Sequence, residues 1–92
     1  MNVKQGVRAV GKLTIRSIEA YGDRETMRIG GFSDEELHEL KSMAHHEAKD
    51  TVLDMLDTRN NGTASLWQAQ RGVYGVWFDN EYAYVSVRIN NP

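Results

Sequence analysis

Residues 32–57 read FSDEELHELKSMAHHEAKDTVLDMLD, and the first six of them mark the start of a helix. Ser33 and Glu36 have the spacing of a capping box, in which the hydroxyl accepts from the N–H of Glu36 while the carboxylate accepts from the N–H of Ser33. Phe32 before the cap and Leu37 at the fourth helical position have the hydrophobic-staple spacing. Asp34 and Glu35 add negative charge where the helix dipole favours it. Leu37, Leu40, Ala44, Ala48, Val52, Met55 and Leu56 then recur at helical spacing. The pattern predicts one amphipathic helix over Ser33–Asp57, roughly 36 Å long at 1.5 Å per residue. Asn60-Asn61-Gly62 supplies the residues for a left-handed exit.

The flanks on either side read as strands. Leu13 to Ala20 is rich in β-branched residues, Gly22-Asp23 offers a turn, and Thr26 to Ile29 resumes the pattern, which predicts a β-hairpin. Leu13 and Ile15 fall on one parity and Ile18 and Ala20 on the other, so a bulge is expected near Ser17. Further along, Val73 to Phe78 and Tyr82 to Ile89 predict a second hairpin around Asp79-Asn80-Glu81. Between helix and hairpin, Thr63 to Arg71 reads either as a short helix closed by Gly72 or as an edge strand, and the helix is preferred. Val3, Val7 and Val10 suit a helical turn at the start of the chain, against which Gly6 and Gly11 weigh. The fold class expected is α+β: an antiparallel sheet of two β-hairpins packed against one long helix, in a single domain spanning residues 1–92.

Composition narrows the function classes. At 92 residues the chain has room for one core, and its 40% hydrophobic content suffices to fold it. The absence of cysteine removes disulfides and thiolate chemistry, and no apolar leader or membrane-length run is present. A cytoplasmic protein with no membrane partner is expected. The net charge is −2, but residues 1–28 carry +3 and residues 33–57 carry −6. On a continuous helix, Glu36, Glu39, Glu47, Asp50, Asp54 and Asp57 would share a sector of about 80° centred on Met43. Such a stripe is either a solvated outer face or a surface for a basic groove.

No residue set points to catalysis. His46-Glu47-Ala48-Lys49-Asp50 approximates H-E-x-x-H with Asp in the last place, but no third ligand follows at a useful spacing. The glycines form neither a P-loop nor a dinucleotide fingerprint, so no metal or cofactor is expected. A non-enzymatic binding protein is the expected class. Its candidate partner-binding residues are the six carboxylates of the stripe together with Tyr82, Tyr84 and Arg88 on the last strand, since Tyr and Arg anchor interfaces. The alternative is nucleic-acid binding through Arg16, Arg24 and Arg28 on the first hairpin, with Trp67, Trp77, Tyr82 or Tyr84 stacking on bases.

Met27-Arg28-Ile29 followed by the capped Glu-Glu-Leu helix resembles the opening of a ribbon-helix-helix repressor. The likeness ends where that family turns between two helices, because the apolar pattern here runs on through His46 and Asp50. In small size, lack of cysteine, sheet-plus-helix plan and lack of motifs, the whole chain is similar to the inhibitors that phages encode against host systems, anti-CRISPR proteins among them. That similarity implies a partner in a host nucleic-acid-handling complex, a protein or ribonucleoprotein with a basic surface. It assigns no residue a role. Homodimerisation through the second hairpin stays open.

Overall fold

A computed structural model of the chain describes residues 11–89, and the helical turn expected around Val3 to Val10 lies outside them. The order of elements is β1 (Thr14–Tyr21), β2 (Arg24–Gly30), α1 (Asp34–Ser42), α2 (His45–Arg59), α3 (Thr63–Gln70), β3 (Val73–Phe78) and β4 (Ala83–Arg88). The strands form one antiparallel sheet in the order β1-β2-β4-β3, so the two hairpins join through β2 and β4. The fold is α+β, as the hydrophobic periodicities imply.

One expectation needs correcting: Ser33–Asp57 is not a single helix. Ser33 caps α1 with the full capping box, and the helix then stops at Ser42. Met43 and Ala44 are extended, with ψ of 157° and 153°, and α2 restarts at His45. Two contacts accompany the break. The Ser42 hydroxyl donates to the Glu39 carbonyl at 2.7 Å, a local bond that competes with helix propagation. The extended pair also turns the Met43 side chain onto the core, where a continuous helix would have held it among carboxylates.

The break interrupts the run through His46 and Asp50 by which the chain is expected to depart from a ribbon-helix-helix protein. The strand before it differs, however, because β2 is hydrogen-bonded on both sides, to β1 and β4 of its own chain. It offers no free ribbon to a DNA groove.

The remaining elements follow their local signals. The register of β1 against β2 shifts between Ser17 and Glu19, which is the expected bulge. Asn61 and Gly62 at φ 57° and 82° carry the chain out of α2 in left-handed conformations, and α3 is the short helix. It ends at Gly72, φ 95°, whose N–H donates to the Trp67 carbonyl. The core lies between the helices and one sheet face, with Ile29, Val52, Leu56, Val85 and Val87 its largest fully buried side chains. Ala83, Val85 and Val87 alternate inward along β4, so Tyr84, Ser86 and Arg88 face the other way. No helix among the described residues is long and apolar enough to cross a membrane.

Candidate binding face on the open side of the sheet

The helices cover one side of the sheet, and the pairing register decides what the opposite side displays. Trp77 pairs with Tyr84, Tyr84 with Arg28, and Arg28 with Arg16, which lays one row of large side chains across all four strands. Next to it runs a row of smaller groups, Ser86, Thr26 and Glu19. A third row holds Arg88, Arg24 and Tyr21. Between the two large rows lies a shallow trough of about 260 Å³, lined by Glu19, Tyr21, Arg24, Thr26, Trp77 and Ser86.

The rings and guanidinium groups hold one another in place. Trp77 and Tyr84 stack with centroids 5.8 Å apart and planes 11° from parallel, while Tyr82 meets Tyr84 edge-on at 6.4 Å. Arg28 lies over the Tyr82 ring at 4.4 Å and Arg24 over the Tyr74 ring at 4.1 Å. Gly30 is needed beneath Tyr82: a Cβ there would sit 2.8 Å from Thr14 Oγ1 and 3.1 Å from the tyrosine ring. At the hairpin end, the Tyr84 hydroxyl donates to Asp79 at 2.5 Å, and the N–H groups of Glu81 and Tyr82 donate to the other Asp79 oxygen. Those bonds hold the Asp79 carboxyl below its ordinary range, Tyr84 contributing most, and Asp79 in turn pushes the Tyr84 phenol up. Asp79 is thereby occupied with its own loop.

The structure thus unites two groups of residues that the sequence keeps apart. Arg16, Arg24 and Arg28 of the first hairpin share a face with Tyr82, Tyr84 and Arg88 of the second. Trp77 joins them, 47% exposed, whereas Trp67 is 8% exposed and belongs to the core. Tyr21, Tyr74, Thr26, Ser86 and Glu19 complete the face, and only the strand register reveals them.

The acidic residues fare differently. Glu36 closes the capping box and pairs with Arg59 at 3.3 Å. Asp57 accepts from the N–H and hydroxyl of Ser65, at 2.8 and 2.6 Å, and so caps α3, whose own N-cap residue is Gly62. These bonds hold the Asp57 carboxyl low, the Ser65 hydroxyl contributing most. Glu39 lies on α1, and Glu47, Asp50 and Asp54 lie on α2, beyond the break. All four are exposed, and none of their carboxylates takes part in a hydrogen bond or ion pair among the described residues.

Among the described residues no group of three or more His, Asp or Glu side chains gathers to hold a metal ion. His45 instead leans over the β3 edge, its Nε2 3.3 Å from where a Cβ on Gly75 would stand. No family model, no curated protein and no solved structure matches the chain, so the functional reading rests on this geometry.

Proposed function

We propose that the protein is a non-enzymatic binding module that meets an anionic partner through the open face of its sheet. The observation that carries this reading is the row Trp77, Tyr84, Arg28 and Arg16, side by side on four paired strands. Trp, Tyr and Arg are the side chains that concentrate binding energy, because each buries a large rigid area and keeps a polar or cationic contact. Charge gives the direction. The open face carries Arg16, Arg24, Arg28 and Arg88 against Glu19 and against Asp79 and Asp23, which accept from the Tyr84 and Tyr74 hydroxyls, so it keeps a small cationic excess, while the unpaired carboxylates sit on the helical layer behind it. A polyanion would draw the sheet towards itself and turn the acidic helices outward.

A phage-type inhibitor of a host nucleic-acid-handling complex would find such a partner in the nucleic acid of that complex or in an acidic patch on its protein. Retention on immobilised heparin, a generic polyanion, tests the reading. Wild-type protein is expected to bind at low salt, and the double variant Arg24→Glu, Arg28→Glu to pass through while keeping its melting temperature within a few degrees. Equal retention of both proteins would refute the open face as the contact surface.

A second reading keeps the acidic residues as the contact, docked on the basic surface of a host protein or ribonucleoprotein. It is favoured by Glu39, Glu47, Asp50 and Asp54, which are exposed and uncommitted. Reversing Glu39, Asp50 and Asp54 to lysine would then abolish capture of that partner and spare heparin binding.

A further inference from the structure

We infer that the anionic partner is single-stranded nucleic acid and that one of its bases lies in the trough between Trp77 and Arg24. The inference rests on the open-face reading above and narrows it. Three features of the face favour this ligand over an acidic protein surface or a duplex.

The first is the alternation of ring and cation. Guanidinium groups at Arg16, Arg24, Arg28 and Arg88 stand among the rings of Tyr74, Trp77, Tyr82 and Tyr84, on neighbouring strands of one sheet. A single strand offers a phosphate and a π-face with every nucleotide, and so uses both kinds of group. An acidic protein patch supplies carboxylates without a regularly recurring π-face.

The second is the trough. Its long walls are the Trp77 row and the Arg24 row, four residues apart along β4, or about 13 Å. Its floor is lined by half-buried Thr26 and by Ser86, which is 5% exposed, and Glu19 closes the β1 end. Hydroxyls both donate and accept, so they tolerate any base edge, while a carboxylate accepts from exocyclic amino groups such as that of cytosine. Trp77 supplies the stacking wall. Arg24, seated over Tyr74, lines the trough and offers it a cation.

The third is width. Four strands spaced about 4.8 Å apart span about 14 Å between the outer axes, too broad for a major groove about 12 Å wide. A helix or a two-stranded ribbon enters a duplex groove, whereas this sheet presents a surface. Unpaired bases lie on such a surface directly, whereas a duplex meets a broad sheet only by being bent open at its minor groove.

Fluorescence anisotropy of a labelled oligothymidylate, titrated with the full chain, tests the inference. Saturable binding is expected, with duplex of the same length at least tenfold weaker. Three to four phosphate contacts imply a slope of log affinity against log salt of about −2 to −3. Trp77→Ala should weaken binding roughly ten- to a hundredfold, the loss of one stacked base. Arg24→Glu, Arg28→Glu should weaken it at least a hundredfold and flatten the salt slope by about one to two. Glu19→Gln should lower any preference for oligocytidylate over oligothymidylate. Circular dichroism and the emission of buried Trp67 check that each variant is folded.

Absence of binding at low salt, or duplex binding as tight as single strand, overturns the inference. If oligonucleotide fails while heparin retention still depends on Arg24 and Arg28, the open face stands and its partner is an acidic protein. If both fail, both readings fall.

Discussion

The helical layer and the open side of the sheet both carry exposed charge, but they differ in how that charge is arranged and in how much of it is already committed. On the helices, the two ends of the acidic series serve the fold: Glu36 caps α1 and holds Arg59, and Asp57 caps α3. The four carboxylates between them are divided by the extended Met43-Ala44 step. On the sheet, strand pairing sets the rows, and stacking and cation–π contacts tie Trp77, Tyr82, Tyr84, Arg28, Arg24 and Tyr74 to one another. A surface whose side chains are ordered before binding loses less entropy when it binds. Pre-organisation, more than charge count, therefore separates the two regions.

That contrast is open to attack from both sides. The largest effect is expected from Arg24→Glu with Arg28→Glu, which removes two cations from the open face and adds two anions beside Trp77. Affinity for a polyanion should fall at least a hundredfold, about 3 kcal/mol by the usual conversion, as measured by anisotropy or by elution from heparin. Trp77→Ala comes next, with a loss of about 1–3 kcal/mol in nucleic-acid binding and a fall of several degrees in melting temperature, because the ring is half buried and stacks on Tyr84.

Variants of the helical layer should behave in the opposite way. Asp57→Ala removes the cap of α3 and is expected to cost about 1 kcal/mol of stability, a fall of about 4–8 °C in Tm, with binding unchanged. The pH dependence follows in sign. The folded protein holds the Asp57 carboxyl below its ordinary value, so its contribution is complete above that value and disappears as the pH falls through the lowered one. Glu25, held low by the Ser17 hydroxyl and then by Arg71, acts in the same direction. Thermal melts between neutral and strongly acid pH should therefore show a declining limb that Asp57→Asn makes shallower. The smallest effect is expected from Asp50→Lys with Asp54→Lys: within about 0.5 kcal/mol in stability, as for other uncommitted surface positions. A large loss of polyanion binding in this last variant would erase the distinction between the two regions.

How much of this was legible in the sequence depends on the range of the interactions involved. The capping box at Ser33 is a contact between residues three apart, and it forms as the spacing implies. The bulge in β1 shows in the parity change between Ile15 and Ile18, and the short third helix in its closing Gly72. The break at Met43-Ala44 had no such signature. Neither Gly nor Pro marks it, and what accompanies it is a serine hydroxyl turned onto its own helix and the packing of Met43 on a core whose residues are distant in sequence.

The open face was legible in its residue types and illegible in its assembly. Arg16, Arg24 and Arg28 read as one candidate surface and Tyr82, Tyr84 and Arg88 as another, because hairpins are local. Their union depends on β2 pairing with β4 across the three intervening helices. Trp67 and Trp77 looked equivalent as stacking groups, yet one faces the core from α3 and the other lies open on β3.

Chemical-shift mapping of the isotope-labelled chain with a short oligothymidylate at low salt addresses the contact surface most directly. Perturbations are expected to cluster on the indole N–H of Trp77 and the backbone amides of Thr26, Arg28, Tyr84 and Ser86, with Glu47, Asp50 and Asp54 unmoved. Perturbations gathered on α1 and α2, with Trp77 unchanged, would contradict the assignment of the open sheet as the binding face.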